Sequence, residues 1–169
     1  MLEVALSREG PWPDSTDWEA LAQRAATAAL ERTMHGEWIG MSVAIEISVR
    51  LTDDAEVGSL NARYRHKDKP TNVLSFPMVQ PDLLDGVANT DDGEVLLGDI
   101  VLAYGVCAAE AEERGIAIED HATHLIVHGT LHLLGYDHIR HPEAEAMEAI
   151  EIDALASLGL ADPYLIRED

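Results

Sequence analysis

The spacing of apolar and polar residues changes period several times along the chain, and each change predicts an element. In residues 41–50, MSVAIEISVR, the apolar Val43, Ile45, Ile47 and Val49 alternate with other residues, the two-residue period of a half-buried strand. Trp18, Leu21, Ala25, Ala29 and Leu30 keep helical spacing, which predicts a helix over about residues 17–34 with Ser15 or Thr16 as its N-cap. The opening VALS is a short strand. A short helix carrying Val57 and Leu60 follows a cap at Thr52, and Pro70 stops any helix before it. NVLSF (residues 72–76) and LLGDIVLAY (residues 96–104) are apolar runs of strand length, separated by a polar, turn-rich loop over residues 80–94. Helices are predicted over about residues 105–114, with Cys107 on the buried side, and 118–134. An acidic amphipathic helix follows in PEAEAMEAIEIDALASLG. About four strands and about five helices, the helices crowding the C-terminal half, predict a single α+β domain over residues 1–169: a mixed sheet layered with helices.

The candidate chemistry lies in HGTLHLLGYDH, residues 128–138, with histidines at i, i+4 and i+10. On a helix His128 and His132 share one face, because residues four apart are neighbours. At about 100° per residue a continued helix would carry His138 roughly 280° away from His128, so the chain must turn first. Gly135 stands where that turn is needed, since glycine enters the left-handed conformation of a helix C-terminus without steric cost. The spacing predicts a tripod of imidazoles at the end of a C-terminal-half helix. Three neutral imidazoles with an open fourth position suit catalytic zinc, whereas a structural zinc site is closed by four ligands, often cysteines. Cys107 is the only cysteine. One Zn2+ per chain is therefore expected on His128, His132 and His138.

Charge changes the picture. The formal net charge of −21 works against a broad nucleic-acid-binding surface. The charge is segregated, however: of eleven lysines and arginines, Arg63, Arg65, Lys67 and Lys69 fall within RYRHKDK, whereas residues 142–169 hold eight acids against the single base Arg167. One basic island sits on an acidic body. The N-terminus lacks a basic segment followed by a long apolar stretch, and no run approaches the roughly 18 apolar residues of a membrane span, so no membrane partner is expected. A single cysteine suits a reducing cytoplasm.

HGTLHLLGYDH closely resembles the histidine motif of the YbeY family of bacterial rRNA maturation factors, which are zinc-dependent, single-strand-specific endoribonucleases. LNARYRHKDKPTNVLSFP (residues 60–77) and LLGDIVLA (residues 96–103) are similar to the family's other signature stretches, and DPY near the end resembles its usual tail. The resemblance runs over about residues 41–164 and carries nothing onto the first 40. It implies zinc ligands at His128, His132 and His138 and a functionally important arginine at Arg65. It also implies single-stranded rRNA as substrate, in 16S rRNA 3′-end maturation and ribosome quality control, with the ribosomal small subunit or ribosome-associated proteins as partners and no DNA.

Side-chain chemistry weighs the alternatives. The same histidine spacing occurs in metzincin proteases, HExxHxxGxxH, where the glutamate is the general base; here that position is Gly129, which weakens a metallopeptidase reading. Phosphodiester cleavage gathers negative charge on phosphoryl oxygens, which fixed cations stabilise. The Arg65 guanidinium can hold two phosphate oxygens at once, and Lys67 and Lys69 can track a single-stranded backbone. A zinc-stabilised ribosome assembly factor with little catalysis stays open beside the nuclease. His124, one turn before His128, is expected to pack or to support the site, and Asp137 to orient a ligand imidazole or a water, or to stabilise the turn. His121 and His141 are expected to be exposed, Asp99 to accept hydrogen bonds near the cleft, and Ser75 to be structural.

Overall fold

In a computed structural model, which describes residues 1–67, 69–80, 83, 84, 86, 94–136 and 141–164 apart from the side chains of 141–143, the alternating segment becomes β2 (Ala44–Thr52). Ile45, Ile47, Val49 and Leu51 are fully buried on one face, and Glu46 is exposed on the other. β1 (Leu2–Arg8) runs parallel to β2 on one side and β4 (Glu94–Ala103) parallel on the other. β3 (Val73–Pro77) closes the edge antiparallel to β4, giving the order β1-β2-β4-β3. The sheet is mixed, as expected. A bulge sets Leu96 opposite Glu46 but Gly98 opposite Ile47, leaving Leu97 as the extra residue of β4.

Five α-helices complete the described architecture: α1 (Trp18–Glu31), α2 (Asp54–Arg65), α3 (Tyr104–Arg114), α4 (Ile118–Leu133) and α5 (His141–Ser157). The main core unites α1, α4 and α5 with the inner face of the sheet, and a smaller cluster of Val57, Leu74, Val101 and Ala103 lies under α2. α4 is buried nearly all round, with Ala122, Ile126, Val127, Thr130 and Leu131 wholly inaccessible, as befits a helix enclosed by β3, β4, α1, α3 and α5. Its sides meet the sheet closely at two glycines. A β-carbon at Gly98 would lie 2.5 Å from Leu133 Cδ2 and 2.5 Å from the Phe76 carbonyl oxygen, so only glycine lets the end of α4 and β3 approach here.

α4 ends as the sequence predicts. Gly135 has φ +92°, its N–H bonds the His132 carbonyl at 3.0 Å, and the Tyr136 N–H bonds the Leu131 carbonyl at 3.0 Å, the paired bonds of a glycine-terminated helix. Several expectations are corrected. α1 is capped by Asp17, whose side chain accepts from the Ala20 N–H at 3.1 Å, and not by Ser15 or Thr16. It stops at Glu31 and not near residue 34; a short 3-10 turn follows at Gly36–Gly40. α2 is capped by Asp53 and not by Thr52, whose hydroxyl instead bonds Glu56 at 2.8 Å. In both helices an aspartate next to the expected cap takes the bond to the third helical N–H. Most of the predicted 80–94 loop lies outside the described residues.

Candidate metal centre and basic groove

His128 and His132 project from the last turns of α4, one turn apart, with ring centroids 4.5 Å apart and planes at 80°. Both rings are tethered through Nδ1. His128 Nδ1–H donates to Glu151 Oε1, and His132 Nδ1–H donates to the Tyr136 carbonyl at 3.0 Å. A carboxylate and a carbonyl can only accept, so each tether places a proton on Nδ1, and a neutral ring then carries its lone pair on Nε2. The two Nε2 atoms stand 3.0 Å apart. Two bare lone pairs at that distance would repel, so the pair is held either by a proton shared as an Nε2–H···Nε2 hydrogen bond or by a cation that both lone pairs face. The separation is also close to the roughly 3.3 Å adopted by two nitrogen ligands of one tetrahedral zinc. The donor set therefore fits a divalent metal. His138 and Asp137 lie outside the described residues, and among those described no group of three or more possible ligands comes together.

The residue that sequence reasoning missed is Glu151. It is completely buried in α5, with Oε1 on His128 and Oε2 accepting from the Tyr164 hydroxyl. His124 Nε2 stands 3.7 Å from Oε2, beyond hydrogen-bond reach, so its contribution is electrostatic. Burial alone would push the Glu151 carboxyl up, but His124, His128 and Tyr164 outweigh it and hold its pKa at about 2. A signal existed in the sequence. Met147, Ala154 and Leu155 form the buried stripe of α5, and Glu151 sits on that stripe, four residues after the first and three before the second. A carboxylate on an apolar helix face demands a partner.

His124 lies beside the site, its ring 6.4 Å from that of His128 and 5.9 Å from that of Tyr164. His121 was expected to be exposed and is instead 1% accessible: it donates from Nε2 to Glu110 Oε1 at 2.8 Å beneath α3. Burial pushes its pKa below the ordinary histidine value, and Arg114 and His124 act in the same direction against Glu110. The side chain of His141 lies outside the description. Ser75, expected to be structural, has its Oγ beside Gly129. A β-carbon at Gly129 would lie 2.9 Å from Ile100 Cγ2 and 3.1 Å from Ser75 Oγ, so the position of a protease glutamate faces the sheet with no room for a side chain. Burial raises the Cys107 thiol well above its ordinary pKa, with Glu110 and Asp54 adding to the effect, which removes it as a nucleophile.

Arg65 ends α2, and His66 terminates the helix in the left-handed conformation at φ 59°. The chain then turns back under the control of Asn61, whose backbone carbonyl accepts from the Lys67 N–H at 3.3 Å and whose amide donates to the Lys69 carbonyl at 2.8 Å. Arg65, Lys67 and Lys69 are all exposed and line one groove of about 450 Å³, with Asn72 and Glu110 also in its lining. His128 and His132 are not among the lining residues. The link between the groove and α4 is indirect: Asn72 donates to Glu110 at 3.0 Å, and the same carboxylate oxygen takes the bond from His121. Asp99 is not among the residues that line the basic groove. It lines a separate groove under α2 with Arg50, Tyr64, Phe76 and Met78.

The fold and the site together define an α+β protein with a two-imidazole candidate metal centre and a separate exposed basic groove. Comparison with known proteins is more specific. A family described as "Endoribonuclease YbeY" matches residues 12–159, and the chain belongs to that family. Proteins named Endoribonuclease YbeY from Rhizorhabdus wittichii and Sphingopyxis alaskensis are similar to it. The first is 63% identical over the whole of both chains, and the second 57% identical over 97% of this chain and 98% of its own length. A third, from Zymomonas mobilis, is 48% identical over 99% of this chain and 96% of its own. The solution structure of TM1509 from Thermotoga maritima matches with a TM-score of 0.54 at 22% identity, covering 94% of this chain and 92% of that one, a likeness of fold.

Proposed function

We propose that this protein is a zinc-dependent, single-strand-specific endoribonuclease. Its substrate is ribosomal RNA, in small-subunit 16S rRNA 3′-end maturation and ribosome quality control, and its compartment is the cytoplasm. Family membership supports the nuclease activity. The observation that carries the zinc reading is the convergence of His128 and His132 Nε2 at 3.0 Å with both Nδ1 atoms tethered to acceptors. No helix among the described residues is long and apolar enough to cross a membrane.

His128 and His132, with His138 as the third ligand, would hold the metal; bound zinc would supply Lewis acidity and water activation near neutral pH. The tethers keep both lone pairs aimed without reorganisation when the ligand arrives. Arg65 binds and orients the phosphate, its guanidinium matching two phosphoryl oxygens as negative charge develops on them. Lys67 and Lys69 hold neighbouring phosphates as point charges. The packing of Gly129 against Ile100 and Ser75 counts against a metallopeptidase, because a general base cannot be housed there.

One observation favours a second reading, a zinc-stabilised ribosome assembly factor with little catalysis: the basic groove and the histidine pair do not share a lining among the described residues. Zinc-loaded protein is to be incubated with single-stranded RNA, duplex RNA and an unfolded protein, beside His132→Ala. Cleavage of the single strand alone, lost in the variant, is expected of the nuclease. Zinc binding without cleavage supports the assembly factor, and degradation of the unfolded protein overturns both.

A further inference from the structure

Glu151 presents a problem of charge. Its carboxylate is wholly inaccessible, and among the described residues no lysine or arginine pairs with it; its ionic contacts are His124 and His128. Burying an anion without a cation is costly, and a protein tolerates it where the charge is opposed and both oxygens are hydrogen-bonded. Here both oxygens are taken, Oε1 by His128 and Oε2 by Tyr164. The opposing charge comes through the imidazoles, as a proton on His124 or His128 or as a cation at the Nε2 of His128. An anion at Nδ1 makes Nε2 a better donor to a cation, and the cation in turn makes the Nδ1–H a better donor to the anion.

Tyr164 adds a second link. It belongs to the segment that follows α5 and returns over the helix. That segment is pinned locally: the Leu160 N–H bonds the Leu155 carbonyl at 2.9 Å, and the Tyr164 N–H bonds Asp162 Oδ1 at 2.8 Å. The Tyr164 ring stands edge-on to His124 at 5.9 Å. The phenol is thus aimed at Glu151 by the fold.

On the reading that His128 is a metal ligand, we infer that Glu151 is a positioning residue of the centre and that Tyr164 couples the C-terminal segment to its affinity for a divalent metal. Glu151 sets the His128 tautomer and ring orientation from α5. Tyr164 holds Glu151 in the rotamer that does so. Displacement of the segment around Tyr164, by truncation or by a partner, weakens metal binding although no ligand has been touched.

The test uses the full chain, stripped with a chelator and titrated with Zn2+ against a chromophoric competitor. Glu151→Gln, which keeps the shape and removes the charge, is expected to lower zinc affinity roughly 10–100-fold, in the range found for partners of metal-bound histidines. Tyr164→Phe is expected to lower it about 3–10-fold, the scale of one hydrogen bond. Glu151→Asp should recover part of the loss. Long-range 15N–1H spectra of the metal-free protein should show His128 as the Nδ1–H tautomer in the parent and a mixture in Glu151→Gln, a change that a merely structural glutamate would not cause. Parental zinc affinity in Glu151→Gln and Tyr164→Phe, with loss of zinc in His128→Ala, overturns this inference and leaves the metal centre standing. Parental affinity in His128→Ala overturns the centre itself. Should Glu151→Gln fail to fold, Tyr164→Phe lacks a single hydroxyl and carries the test, and parental zinc affinity in that variant overturns the coupling.

Discussion

The histidine centre and the basic groove are built on opposite principles. At the centre every polar atom of Glu151 is buried and hydrogen-bonded, and each imidazole is fixed through Nδ1 before anything binds. In the groove Arg65, Lys67 and Lys69 are exposed, and their backbone is held by Asn61 while the charged ends remain in solvent. The centre is preorganised at a cost to folding, since a carboxylate must be taken from water. The groove costs the fold little, because an exposed cation is hydrated in both folded and unfolded states. Substitutions in the centre should therefore move metal binding and stability together, whereas substitutions in the groove should move function alone.

The largest effect that could break this contrast is His132→Ala. It is expected to abolish both zinc retention and RNA cleavage, measured by elemental analysis after dialysis and by single-turnover assay; stoichiometric zinc in the variant would remove α4 from the chemistry. Arg65→Ala comes next. It should lower cleavage about 10²–10³-fold with a melting temperature within about 2 °C of the parent. A large fall in melting temperature would assign Arg65 to the scaffold and erase the distinction between the two regions. Gly129→Glu tests the packing beneath the centre. A buried side chain against Ile100 and Ser75, carrying a charge, is expected to cost about 3 kcal/mol or more in chemical denaturation, and a stable variant would show that α4 has room to move away from the sheet.

Two smaller effects sharpen the comparison. Three exposed cations can displace few counterions, so binding of short single-stranded RNA should depend on salt with a slope no steeper than about −2 in log–log form. A steeper slope would require a binding surface beyond the groove. The smallest expected effect lies at His121, which joins the two regions through Glu110. Its pKa is depressed below 6.5 by burial first, with Arg114 and His124 adding to the effect of burial and Glu110 opposing it. Its stabilising contribution is therefore complete above the unfolded value of 6.5 and is lost as pH falls through the lower folded value, because the unfolded chain binds the extra proton. Denaturation midpoints followed downward from pH 7 should fall less steeply in His121→Gln than in the parent; equal slopes would mean that His121 gains its proton without leaving the fold.

Much was legible before folding because it is local. Alternation over residues 43–49 specifies a strand with one buried face, and the spacing of Trp18, Leu21 and Ala25 specifies a helix, since both periods are properties of the backbone. The i, i+4 pair of histidines and the glycine that ends their helix are equally local, and both stand where the spacing placed them. Caps were misread by one or two residues, because neighbouring Ser, Thr and Asp compete for the same N–H and the winner depends on where the chain enters the helix.

Tertiary structure alone decided the rest. The order β1-β2-β4-β3 inserts β4 between β2 and β3, strands that follow one another in the chain, and no local period encodes which strands pair. His121 is buried because α3 covers it, and its own helix carries no mark of that. The partner of His128 lies 23 residues away on α5, and Glu151 in turn meets Tyr164 from beyond that helix. Periodicity reports which face of an element is apolar. Which polar atom is buried with which is settled only when elements pack, because the energy of a buried charge depends on the neighbours that replace its water.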